Sequence, residues 1–164
     1  VYINGLSKSH AMTGYRVGFI LGAADVIAEM QKVHGALTFA IPTFIQDAAV
    51  VALRDVTDTP FVMRDQYKAR RDRILPQLQN LGFDVVSPEG AFYLFAKLPI
   101  DLGDDGDAFA LKLAHEGKVA VIPGSGFGES AKAYIRISYA ASDADLDEGM
   151  RRLTAYINEL RENE

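Results

Sequence analysis

The 164-residue chain contains no cysteine, which excludes disulfides and thiolate metal sites and is compatible with a reducing compartment, so a cytoplasmic location is expected. Histidine is scarce as well. His10, His34 and His115 lie far apart in sequence, and without cysteine they assemble no transition-metal pattern, so no metal is expected. The acidic run Asp101, Asp104, Asp105 and Asp107 has neither the regular spacing nor the terminal glutamate of a calcium loop, and reads as a solvated turn. No uninterrupted apolar stretch reaches membrane-spanning length, and nothing reads as a signal peptide, so no membrane association is expected. Charge of one sign is in small excess: 22 acidic against 17 basic residues give a formal net charge of −5, which argues against general nucleic-acid affinity. What remains is ordinary for a globular protein, with 49% hydrophobic and 24% charged residues. The length suits one domain, or a small domain with a piece of another.

Patterning predicts an α/β chain. Val1–Asn4 and Arg16–Leu21 read as strands flanking a loop, with Gly14 and Gly18 allowing close backbone approach. Asp25 is the expected N-cap of a helix to about His34, stopped by Gly35. Pro42 opens a second helix to about Leu53, whose face of Phe44, Ile45, Ala48, Val51 and Ala52 calls for burial. Thr59-Pro60 begins a long helix to about Leu81, with a solvated charged face and a Lys68–Asp72 pair. Pro76 predicts a kink or an early break in it. Short strands follow at Phe83–Val86, Ala91–Leu98, Val119–Ile122 and Ala133–Tyr139, with a helix capped by Asp107 and running to about His115 between the second and third. Ser142 and Asp145 start a last helix, in which Leu146, Met150, Leu153, Ile157 and Leu160 form one apolar stripe.

The chemistry concentrates in Asn4-Gly-Leu-Ser-Lys-Ser-His-Ala-Met-Thr-Gly-Tyr-Arg-Val-Gly18. A lysine at a strand end, in a loop that can be shielded from water, is suited to act as a nucleophilic amine towards an aldehyde. Arg16, eight positions after Lys8, can hold a phosphate through paired N–H donors. Aldehyde plus phosphate outlines pyridoxal 5′-phosphate. Downstream, strand alternation puts Tyr134, Arg136 and Ser138 on one face, opposite Ile135, Ile137 and Tyr139. An arginine on so apolar a strand needs an anion, either a protein carboxylate in a buried ion pair or a ligand. The glycine-rich stretch Pro123–Gly128 has neither the lysine nor the strand-to-helix setting of a nucleotide loop.

The segment Ser7-Lys-Ser-His-Ala-Met-Thr-Gly-Tyr-Arg-Val-Gly-Phe19 resembles the cofactor-lysine segment of the class I/II, fold-type I aminotransferases, in which Ser-Lys and then Gly-x-Arg-x-Gly recur. The form Ala-Met-Thr-Gly-Tyr-Arg is most similar to the aspartate, aromatic and acetyl-diaminopimelate branch, and the match runs on to Arg136. One position departs: Gly5 stands where many relatives carry a second serine that contacts phosphate. The resemblance implies that Lys8 anchors pyridoxal phosphate and serves as the acid/base, and that Arg16 binds the cofactor phosphate. It assigns Arg136 the substrate α-carboxylate, puts Phe92 and Tyr93, otherwise core residues, near substrate, and makes Pro123–Gly128 a mobile loop at the site's mouth. It implies transfer of an amino group between an amino acid and a 2-oxo acid, in a homodimer. Residues 1–58 would be the end of the large cofactor-binding domain, 59–81 the connecting helix, and 82–164 a small α+β domain. Because the sequence starts inside a strand, at Val1-Tyr2-Ile3, the resemblance further implies a C-terminal portion of such an enzyme, inactive alone. Two alternatives stay open: another fold-type I enzyme, such as a carbon–sulfur lyase or an aminocyclopropane synthase, and a noncatalytic binding module.

Overall fold

The computed structural model describes residues 1–163, which divide into two compact units, Val1–Asp65 and the residues from Gln66 onward. In the first unit, β1 (Tyr2–Gly5) pairs antiparallel with β2 (Gly18–Leu21), from Tyr2 opposite Leu21 to Gly5 opposite Gly18. A methyl group on Gly18 would sit 3.0 Å from the Asn4 carbonyl oxygen, and one on Gly5 would sit 3.2 Å from that of Val17. The crossing is therefore tight at both glycines. Gly14, expected to share this role, is in open surroundings: a methyl group there would have nothing within 4 Å.

Two helices follow, α2 (Ala24–Leu37) and α3 (Thr43–Asp55). Ala23, not Asp25, is the N-cap of α2; Asp25 lies in the first turn, where its charge faces the positive end of the helix dipole. Gly35 does not stop α2. Thr38 does, its backbone N–H and hydroxyl both donating to the His34 carbonyl at 2.9 and 3.2 Å. Pro42 is the N-cap of α3. The core of this unit is small: Leu6, Met12, Val17 and Ala52, flanked by Phe19, Ile41, Ile45, Ala48 and Ala49. Val33, Leu37, Phe39, Phe44 and Val51 remain exposed, so the apolar faces of α2 and α3 go largely uncovered by the described residues.

Helix α4 (Thr59–Asn80) contains the division between the units. It does not break at Pro76. Ile74 and Leu78, on either side of the proline, are fully buried, and burial of two such side chains, about 1.5–3 kcal/mol each, offsets the roughly 3 kcal/mol cost of an interior proline. The Lys68–Asp72 pair forms at 2.6 Å. The charged face is only partly solvated, however: Arg70 reaches Asp143 at 3.0 Å and Arg71 donates to the Pro88 carbonyl at 2.7 Å.

The second unit is built on an antiparallel sheet of order β3-β4-β6-β5, comprising β3 (Asp84–Val85), β4 (Tyr93–Lys97), β5 (Ile122–Pro123) and β6 (Tyr134–Ser138). Leu94, Ala96 and Ile135 point into the core, where they meet Ile74, Leu78 and residues of α6 (Asp143–Glu162), among them Leu146, Met150, Leu153 and Ile157. Ser142 caps α6 as expected, accepting from the Asp145 backbone N–H at 3.1 Å. Helix α5 (Gly106–Lys112) is capped by Asp105 rather than Asp107, through a 3.0 Å bond from the Ala108 N–H. Past Lys112 the chain widens into a π-type turn, Leu113–Gly117, which occupies the end of the helix expected to reach His115. Among the described residues, no helix is long and apolar enough to cross a membrane, and no group of three or more histidine or acidic side chains is placed to hold a metal ion.

Candidate active site

The two basic residues of the N-terminal motif lie beyond the same end of the β1–β2 ladder. The Gly5–Gly18 pair closes that ladder, and the chain enters α1 (Leu6–Ser9), a single turn that carries Lys8. The turn is pinned by its one buried residue, Leu6, whose carbonyl accepts from His10 at 3.1 Å and Met12 at 3.4 Å. Lys8 is exposed, so the described residues do not supply the shielding from water expected of this loop. Ser9 and His10 bond to each other through Oγ and Nδ1 at 2.9 Å.

The return path runs through a 3-10 turn, Thr13–Tyr15, and then Arg16, which adopts a left-handed backbone with φ 53° and ψ 42°. Arg16 therefore precedes β2 rather than forming part of it, contrary to the strand expected from residue 16. A left-handed conformation is uncommon for a residue with a side chain. Here it follows the 3-10 turn, and Val17 beyond it is buried. The guanidinium donates from one Nη to the Thr13 carbonyl at 3.0 Å, which leaves its other donors for a ligand. A primary amine and a multidentate cation at one end of a tight hairpin suit a small molecule with one carbonyl and one phosphate.

Arg136, in the second unit, lies mid-strand in β6, opposite Phe95 of β4 and Ile122 of β5. Its guanidinium carbon is 4.3 Å from the centroid of the Tyr93 ring and 4.8 Å from that of Phe127. The Nε atom is buried and has no hydrogen-bond partner. None of the ion pairs among the described residues involves Arg136. Of the two anions open to this arginine, the protein carboxylate is thus absent among these residues.

Tyr93 and Phe127 were not legible as partners of Arg136. Alternation puts Tyr93 and Phe95 on one face, but the register that brings them beside Arg136 is set by β4–β6 pairing. Phe127 comes from the glycine-rich stretch. That stretch forms a 3-10 turn, Gly124–Phe127, with a 2.8 Å bond from the Ser125 hydroxyl to Asp107. Phe92 packs instead against Tyr67 and the core of the second unit.

Comparison with known proteins bears on the family of the chain. Residues 1–153 match the family model described as aminotransferase class I and II. Curated relatives include a probable N-acetyl-LL-diaminopimelate aminotransferase of Bacillus subtilis, 38% identical over 99% of this chain and 41% of its own length. An aspartate aminotransferase of Pyrococcus abyssi is 39% identical over 98% of this chain and 42% of its own. Among solved structures, an aromatic aminotransferase of Pyrococcus horikoshii superposes with a TM-score of 0.88 at 37% identity, covering 97% of this chain and 43% of that one. The chain therefore spans about two fifths of the length of the relatives it matches. With its mixed α/β architecture and a family match over residues 1–153, the chain belongs to the class I and II aminotransferases.

Proposed function

We propose that this chain contributes the cofactor lysine and two anion-binding arginines to a pyridoxal-phosphate-dependent aminotransferase acting on an amino acid and a 2-oxo acid. Lys8 is the residue that holds the cofactor aldehyde. Its Nζ is also the group that takes the proton from the substrate Cα. Arg16 binds the cofactor phosphate through the donors that Thr13 leaves open. When bound, the cofactor supplies a ring that stores the electron pair released at Cα. Arg136 receives the α-carboxylate, which the amino acid and the oxo acid have in common. One residue can therefore serve both half-reactions. The assembly is a homodimer in the cytoplasm, and the chain corresponds to the end of the cofactor-binding domain, the linking helix and the small domain, at 1–58, 59–81 and 82–164.

The observation that carries this reading is the state of Arg136: a guanidinium on an apolar strand, lying over two rings, with a buried Nε–H and no carboxylate partner among the described residues. Burying an N–H donor without a partner is unfavourable, and a ligand carboxylate beside this half-buried guanidinium supplies the counter-charge it lacks among the described residues. The Lys8 assignment is tested by incubating the protein with pyridoxal phosphate, reducing with borohydride and mapping the modified peptide by mass. The pyridoxyl group is expected on Lys8, with Lys8→Ala losing it. Labelling of other lysines at equal yield, or an undiminished yield in Lys8→Ala, would overturn the assignment.

A further inference from the structure

The turn that carries Phe127 is built more firmly than an exposed glycine-rich stretch requires. Gly124 is buried, and a methyl group there would lie 2.1 Å from the Ala131 carbonyl oxygen and 2.8 Å from both Cβ and the carbonyl oxygen of Tyr134. The turn thus rests directly on the backbone that leads into β6. The Ser125 hydroxyl holds Asp107 on α5 at 2.8 Å, and the Gly128 N–H closes the turn on the Ser125 carbonyl at 3.1 Å. Yet the side chain at the end of this anchored turn is a phenylalanine that remains 52% exposed. Hydrophobic burial alone does not account for a large apolar ring held in that position.

The ring's contacts supply an account. Phe127 meets Phe95 edge-on, with centroids 5.7 Å apart at 85°, and Phe95 stacks on Tyr134 at 4.9 Å and 11°. Its other neighbour is the Arg136 guanidinium, 4.8 Å from its centroid. Arg136 also meets Tyr93, which the β4–β6 ladder fixes opposite Ser138. A long, flexible cation is thereby held by two rings from separately anchored elements. Rings lying against a guanidinium restrict its rotation and remove water from it. With Nε buried, the Nη end is the part left to bind a carboxylate bidentately.

We infer that Phe127 is a positioning residue for Arg136: held by the Gly124–Phe127 turn, its ring orients and partly dehydrates the guanidinium so that the Nη end meets an incoming carboxylate. The inference rests on the carboxylate role proposed for Arg136. It implies that affinity for a carboxylate depends on an aromatic ring at 127 that touches no anion itself.

The test is an NMR titration of the full chain, labelled with nitrogen-15, in which the Arg136 Nε–Hε signal is assigned by its absence in Arg136→Met. The probe is 2-oxoglutarate. In the unsubstituted protein the signal is expected outside the usual arginine range, because of the ring currents of Tyr93 and Phe127, and to move saturably with the probe. Phe127→Leu is expected to weaken binding about three- to tenfold, the range that loss of one cation–π contact implies. Phe127→Tyr should restore it. Ser125→Ala, which keeps the ring but frees the turn from Asp107, should weaken binding by a smaller factor. A response in the unsubstituted protein with equal affinity in Phe127→Leu would overturn the positioning role and leave the carboxylate role of Arg136 standing. No response in the unsubstituted protein would overturn the carboxylate role and the inference with it.

Discussion

Replacing Arg136 by methionine separates a ligand-binding arginine from one that holds the fold together. If Arg136 formed a buried ion pair, removing it would strand a carboxylate and cost about 3–5 kcal/mol. The structure predicts otherwise. The buried Nε–H without a partner carries an unfavourable desolvation of about 1–3 kcal/mol, which methionine relieves. Contacts of the guanidinium with the Tyr93 and Phe127 rings, about 0.5–2 kcal/mol each, are lost. Methionine keeps most of the apolar stem and makes its own sulfur–aromatic contacts. These terms nearly cancel, so the expected change in stability lies within about 1 kcal/mol of zero. With a urea slope of about 2 kcal/mol per molar, the unfolding midpoint, followed by circular dichroism, should move by less than about 0.5 M. A decrease of about 1.5 M or more would show that Arg136 is structural and would refute the reasoning. A near-neutral result is what a site that trades stability for binding should give.

Two further outcomes follow from local geometry. Glu148, on α6, accepts from Arg151 and Arg152 at 2.7 Å, and these bonds lower its pKa from 4.5 to about 2. A carboxylate with a depressed folded-state pKa stabilises the fold above its unfolded pKa, and that contribution fades as pH falls from about 4.5 towards 2. The melting temperatures of the unsubstituted protein and Glu148→Gln should therefore converge between pH 5 and 2, on the order of the pKa interval itself; a gap that stays constant would contradict the assignment. Gly106→Ala would put a methyl group 2.3 Å from the Tyr134 carbonyl oxygen and 2.8 Å from that of Lys132, which accepts the Gly106 N–H at 2.8 Å. A loss of about 3 kcal/mol or more is expected in urea unfolding, against less than about 0.5 kcal/mol for Gly14→Ala in its open surroundings. Equal effects of the two substitutions would rule out the close packing of α5 on the backbone leading into β6.

The sequence was most legible where periodicity and capping act locally. The stripe from Leu146 to Ile157 and the Ser142 cap specify α6 without help from the rest of the chain, and α6 forms as expected. Boundaries were harder where tertiary packing opposes a local signal. Gly35 and Pro76 both read as helix breakers. Each lies inside a helix in the structure, Pro76 between two fully buried residues. In the candidate site, Lys8 and Arg16 were singled out by a strand end, their spacing and a motif resemblance, and Arg136 by a charge on an apolar strand. The rings that hold Arg136 were not. Tyr93 reaches it by strand register, and Phe127 through a turn anchored by Gly124 and Ser125. Neither relation is a spacing that one segment can display.

Strand β6 lies inside the sheet, with β4 on one side and β5 on the other. Arg136 is thereby rooted in main chain laced to both neighbours, so its Cα has little freedom to slide or tilt. Movement of the Arg136 head relative to the sheet is then left to the torsions of the stem, which the rings of Tyr93 and Phe127 flank. On the role proposed for Arg136, guests of differing length would be gripped by the same end while the rest of each extends elsewhere.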